Sequence, residues 1–379
     1  MYAGALLCGL AEIPQDRGQW SGGSTLIQKP GHNHNRPHRD RYKLCAGSYK
    51  TLTVSDKYHN FGFAAQQSGI LRADFFDHRS PGHIMPIAFN RQFDPEYGHL
   101  TRVSPLIRRV VAPNSSPFTA WGTGTYVVGN GKVAVIDPGP DDAAHIEALL
   151  AGLQDETVSH IVVTHTHRDH SPGARLLQAR TGAPVLGCGP HGEEGESVEA
   201  GADYAFVPDT QLYEGDRVQG SGWTLAAVPT PGHTSNHLCY ALEEERALFT
   251  GDHVMGWSTS VISPPDGDMT QYMASLAKLL PRPDARYYPT HGSPIDAPQA
   301  YVGQLIAHRV EREEQILACL RGGMDGIEAM VAKLYADVDP RLHRAAARSV
   351  QAHLLKLVEE GRVACDGAAS ITARYRIAA

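Results

Sequence analysis

The segment Thr164–His165–Thr166–His167–Arg168–Asp169–His170 concentrates three imidazoles and a carboxylate. His165 and His167 are two apart, so on extended or loop backbone both can point the same way. Asp169 and His170 follow at once and can reach a second ion close by. Imidazole and carboxylate donors at one site suit zinc, iron or manganese. Three later segments offer donors of the same kinds. They are His233 in Thr230–Pro231–Gly232–His233–Thr234, Asp252 in Phe249–Thr250–Gly251–Asp252, and His291 in Pro289–Thr290–His291–Gly292. Each comes after an apolar strand and a small residue or proline. One such loop alone could be a solvated surface; four in order argue for a metal site.

Other residues invite a functional reading and have a plainer one. His237 could orient a donor or pack within a strand. His253 follows Asp252 directly and should face away from it, as a structural residue. His191 lies in a glycine-rich loop and reads as an ordinary polar side chain, and Arg168 as a surface residue. Gly122–Thr123–Gly124–Thr125–Tyr126 lacks the lysine and following helix of a phosphate loop. Tyr126 is therefore expected to pack in the core.

The elements that must position these residues can be traced by period and punctuation. Strands are expected at Val103–Ala112, Gly124–Gly129, Lys132–Ile136, His160–Thr164, Pro184–Gly187 and Arg286–Pro289. Several short strands alternate with Gly- and Pro-bearing turns between 200 and 255. Helices are expected at Asp141–Leu153, Gly173–Thr181 and Met269–Leu280. The pattern predicts an α/β sandwich, two sheets with helices outside. Beyond Pro298 come a long amphipathic helix over 299–322, two more at Gly326–Ala336 and Leu342–Glu360, and a hairpin around Asp366–Gly367. Three helices and a hairpin outline a winged-helix domain.

Asp137, the run His165 to His170, His233, Asp252 and His291, in this order, resemble the metallo-β-lactamase superfamily in all its sequence motifs, over about residues 105–295. The resemblance implies an αββα sandwich with metals at one sheet edge. It implies that His165, His167 and His233 hold one ion, that Asp169, His170 and His291 hold another, and that Asp252 bridges them. Asp137 would orient ligands. Two close divalent ions, zinc before iron or manganese, would supply a metal-bound hydroxide and polarise the electrophile. Asp169, Asp252 and Asp137 are then the residues on which catalysis turns.

Departures narrow the branch. Asp252 replaces the cysteine of the Cys-ligand β-lactamases, and His167 the usual glutamate of flavodiiron proteins. The context of His291 differs from that in glyoxalase II, and no room is seen for the added domains of RNase Z and the cleavage-factor nucleases. His308–Arg309–Val310–Glu311–Arg312–Glu313 resembles the helix signature of the branch with a C-terminal β-lactamase-associated winged helix, which extends the resemblance to residue 379. Relatives in that branch include an endoribonuclease and acyl-carrier-protein thioesterases. Lys and Arg roughly balance Asp and Glu in this region, so it reads as a packing and dimerisation cap rather than a phosphate-binding face. The expected activity is therefore hydrolysis of a small-molecule ester or acyl thioester. The alternatives are a phosphodiesterase or single-strand endoribonuclease acting on RNA, and a non-catalytic metal-binding protein. A homodimer is compatible with the cap.

The chain has 379 residues and a net charge of −7, which leans against a nucleic-acid binder. Its six cysteines are scattered without CxxC pairs, so neither a disulfide framework nor a cysteine zinc site is expected, and a reducing cytoplasm is inferred. No apolar run approaches a membrane span. Met1–Leu10 is apolar but short and has no preceding Lys or Arg, unlike a signal peptide. Residues 1–84 are polar and unpatterned, and read as a disordered extension or a mis-assigned leader with Met85 as initiator. The expected domains are 85–296 and 297–379.

Overall fold

Strand β4 (Lys132–Ile136) is buried from Val133 onward. Ala134 and Ile136 enter one core while Val133 and Val135 enter another. A strand covered on both faces needs apolar residues at every position, which is why this run does not alternate.

The computed structural model describes residues 87–192 and 201–379. The expectations about residues 1–84 and Met85 lie outside this range.

The first sheet contains β1 (Thr101–Arg102), β2 (Ile107–Val111), β3 (Gly124–Val128), β4, β5 (Thr157–Val162), β6 (Val185–Gly187) and β7 (Thr210–Gln211), in that spatial order. Its early strands pair antiparallel and β4 to β7 pair parallel. Helices α1 (Ala143–Leu153) and α2 (Gly173–Thr181) lie on its outer face, through Ile146, Leu149, Leu153 and Leu177. Asp142 caps α1, accepting hydrogen bonds from the Ala144 and His145 amides. The second sheet runs β12 (Arg286–Pro289), β11 (Ala247–Gly251), β10 (Leu238–Leu242), β9 (Trp223–Pro229) and β8 (Arg217–Gly220). Helix α3 (Met269–Leu279) covers its outer face with Tyr272, Leu276 and Leu279. Between the sheets Ile107, Tyr126, Ile136 and Val162 meet Leu225, Tyr240, Phe249 and Tyr288. The architecture is the expected αββα sandwich.

Helix α4 (Pro298–Arg321) serves two cores. Tyr301, Val302 and Leu305 pack on the second sheet with α3. Ile316, Leu317 and Leu320 pack with α5 (Ile327–Leu334), α6 (His343–Glu359) and the pair β13 (Val363–Cys365) and β14 (Tyr375–Ile377).

Differences from the sequence reading have local causes. The strand expected over Val103–Ala112 is broken by a turn at 103–106, where Pro105 has no amide to donate. Strand β5 starts three residues earlier than read, because Thr157 already pairs with Lys132. The hairpin exists, but residues 366–374 connect its strands, because Cys365 pairs with Tyr375.

Candidate metal centre

Every sequence-predicted donor arrives at the same end of the two sheets. Strand β5 leads into His165, His167, Asp169 and His170, β11 into Asp252, and β12 into His291, while His233 lies on the turn between β9 and β10. Three groups have donor atoms within 4.8 Å of one another: His165, His167 and His233; His165, His170 and Asp252; and Asp169, His170 and His291. Asp252 lies between them. Its Oδ2 is 3.6 Å from His170 Nε2 and 3.7 Å from His233 Nε2, and its Oδ1 is 3.4 Å from His291 Nε2. Asp169 Oδ2 is 3.2 Å from His291 Nε2 and 3.5 Å from His170 Nε2.

The surroundings decide which ring nitrogen faces inward. His233 Nδ1 donates to the Val261 carbonyl at 2.7 Å, and His291 Nδ1 to the Gly122 carbonyl at 2.9 Å. A carbonyl only accepts, so in each neutral ring Nε2 keeps a lone pair for the site. His170 Nδ1 meets Asp137 Oδ2 at 2.9 Å, which turns His170 Nε2 inward in the same way. His165 Nε2 and His233 Nε2 each lie 3.1 Å from His167 Nδ1. Among the described residues, buried His170 Nε2, His291 Nε2 and Asp252 Oδ1 have close ion-pair contacts but no partner in hydrogen-bond geometry. Converging lone pairs and unpartnered donor atoms fit a divalent cation, and these residues could hold one.

The electrostatics agree. Burial opposes charge on His291, yet Asp252 and Asp169 raise its pKa to about 10. Burial likewise opposes the His170 imidazolium, but Asp169, Asp252 and Asp137 hold its pKa well above the usual value. Asp169 and Asp252 stay ionised despite burial, because His170 and His291 adjoin both. Burial, and then the imidazoles of His170 and His167, hold His165 well below the usual range. The carboxylates demand positive charge, and a metal ion would take the place of protons.

Asp137 sits behind this cluster, fully buried at the end of β4. Its carboxylate also accepts from the Thr164 amide and hydroxyl at 2.8 Å and the Thr290 hydroxyl at 2.9 Å. It touches the supports of the cluster and orients His170.

His237, left open by the sequence, stacks 5.0 Å from His165, meets Thr230 Oγ1 through Nδ1 and accepts the Asp252 amide at Nε2. It braces the site from below. Arg168 is exposed and bonds the Ala202 carbonyl. His253 packs on Tyr272, with its pKa lowered to about 3 by burial. Buried His191 meets Thr166 Oγ1 at 2.9 Å. Tyr126 packs against Phe249 and Tyr288 in the sandwich, as expected. The sequence reading missed Thr164, Thr230, Thr250 and Thr290, all buried. Their signal was there: a threonine one to three residues before His165, His233, Asp252 and His291.

The sequence profile described as "Metallo-beta-lactamase superfamily" matches residues 120–291, and that described as "Beta-lactamase associated winged helix domain" matches 327–370. A "Beta-lactamase-like protein 2 homolog" from Caenorhabditis elegans is 34% identical over 274 residues, covering 70% of this chain and 88% of the relative. An "Atrochrysone carboxyl ACP thioesterase" from Paecilomyces divaricatus is 32% identical over 285 residues, covering 71% and 85%. The crystal structure of a beta-lactamase domain protein from Burkholderia ambifaria superposes with a TM-score of 0.63 at 22% identity, covering 75% of this chain and 95% of that one.

Proposed function

We infer the activity from one premise: the chain belongs to the metallo-beta-lactamase superfamily and is a hydrolase with a C-terminal winged-helix domain. We propose that it is a binuclear metal-dependent enzyme, with zinc the first choice of ion, acting on an acyl ester or thioester. The observation that carries this is the convergence of seven buried or half-buried donors in three overlapping groups, centred on Asp252. In this proposal His165, His167 and His233 hold one ion, Asp169, His170 and His291 the other, and Asp252 lies between.

Bound there, divalent ions would supply an activated water at neutral pH and a Lewis acid for the carbonyl oxygen. The chain's own residues do the rest. Val261, Gly122 and Asp137 fix the rings of His233, His291 and His170, so their lone pairs face the candidate centre without reorganisation. Asp252 and Asp169 provide the negative field that retains the ions. The acyl preference is supported by the thioesterase names of relatives that align over most of both chains.

The test uses the full chain, with metal content measured, on a thioester panel and on labelled single-stranded RNA, each with and without chelator. Chelator-sensitive thioester cleavage, reduced at least about 100-fold in Asp169→Ala with the fold retained, is the expected result. Chelator-sensitive RNA cleavage, abolished by the same change, would replace the acyl reading with an endoribonuclease.

A further inference from the structure

Arg309 belongs to helix α4, in the stretch between Leu305 of one core and Ile316 of the other, and it is 3% exposed. Its Nη2 donates to the Ser260 carbonyl at 2.5 Å, and its guanidinium lies 5.2 Å from the centre of the Tyr272 ring. A charged donor on a carbonyl away from water makes a short, strong hydrogen bond, and the aromatic face offsets part of the cost of burying the charge. The carbonyl it holds lies in the loop that leads from Asp252 to α3.

That loop touches the metal centre twice. The Ser260 hydroxyl meets the Asp252 carbonyl at 2.5 Å and the His253 carbonyl at 3.0 Å. The next residue, Val261, offers the carbonyl that takes the His233 Nδ1 proton at 2.7 Å. Tyr301, about two turns before Arg309 on the same helix, donates to the Met255 carbonyl at 2.8 Å, so α4 holds the first half of the loop at two points. Tyr272 donates to the His253 carbonyl at 3.1 Å.

We propose that Arg309 is a positioning residue for the metal centre: by holding Ser260 and Val261 it sets the ring of His233 and the backbone of Asp252. This rests on the reading that His233 and Asp252 are metal ligands. It gives the helix that begins the C-terminal region a role in the site of the preceding domain, with no contact to substrate. Partners one step behind a ligand commonly change metal affinity by about 10–100-fold.

The test is zinc affinity of the full chain, measured by competition with a chromophoric chelator. The cobalt(II) absorption spectrum and the melting temperature of the metal-free protein are recorded alongside. Arg309→Met should weaken zinc binding by about 10-fold or more and shift the cobalt bands, and Arg309→Lys should restore most of the affinity. Ser260→Ala removes one hydroxyl only and should weaken binding in the same direction. Combined with Arg309→Met it should cost less than the two separate losses, since both act through one loop. Where Arg309→Met does not fold, Ser260→Ala with Arg309→Lys decides. Folded variants with wild-type zinc affinity and wild-type cobalt spectra would overturn the inference alone. A wild-type chain that takes up no zinc would overturn the metal-centre reading, and this inference with it.

Discussion

Asp137 illustrates how much of the candidate site depends on residues that donate nothing to it directly. One carboxylate receives the Thr164 amide, two threonine hydroxyls and His170 Nδ1. Asp137→Asn would keep the shape but put an NH2 group where three donors converge. His170 would then have to accept at Nδ1, which moves its proton to Nε2 and removes the lone pair facing the site. Zinc affinity should fall by about 10–100-fold, read by chelator competition, with a cooperative melt retained. An unchanged affinity would mean that His170 is not a ligand. Thr164 and Thr290 lock the same carboxylate from the chain segments that carry His165 and His291, so two donor loops are registered through a single anion.

At the scale of elements, the site is a property of strand ends. Strands β5, β11 and β12 deliver donors where they stop, and the turn out of β11 depends on a glycine. Gly251 has φ of +50°, and a Cβ there would fall 2.6 Å from His237 Nε2. The left-handed backbone costs a non-glycine residue about 1 kcal/mol, and the imidazole that must move also supports the Asp252 amide. Gly251→Ala should therefore destabilise the protein by about 2 kcal/mol or more and weaken metal binding in the folded fraction. Thermal melts and zinc titration check this, and a wild-type melting temperature would contradict the close packing against His237.

At the scale of the whole molecule, helix α4 makes the two domains share structure. Removing residues 298–379 would strip Tyr301, Val302 and Leu305 from the outer face of the second sheet, against Leu248, Tyr287 and α3. The truncated chain should be insoluble or lose its near-ultraviolet circular dichroism; a soluble, cooperatively melting product would show that the sandwich does not need the helix. The same region carries a pH dependence away from the metal centre. Burial lowers the pKa of His353 to about 4, while Glu313, held ionised against burial by His353 and Lys356, is also lowered. The unfolded chain protonates His353 near pH 6.5, the folded one only near 4. Stability is therefore complete above about pH 6.5 and falls as pH drops toward 4, by about 3 kcal/mol at most from this group. Glu313 adds a loss in the same direction at lower pH. Denaturant midpoints of wild type and His353→Leu across this window should converge as the pH falls.

The sequence by itself determined the sandwich and singled out the candidate donors, because both are written locally. Strand β4 is apolar at consecutive positions, α2 and β12 have the predicted bounds, and each predicted donor follows a strand through a small residue or proline. Those signals need only neighbours in the chain. The tertiary structure alone decided which nitrogen each imidazole turns inward, because that is set by Gly122 for His291, Val261 for His233 and Asp137 for His170, 169, 28 and 33 residues away. It alone gave His237 a place beneath His165, and Arg309 a carbonyl in the loop beyond Asp252. A hydrogen bond between distant segments leaves no period in either of them, and it exists only once the sheets and α4 have packed.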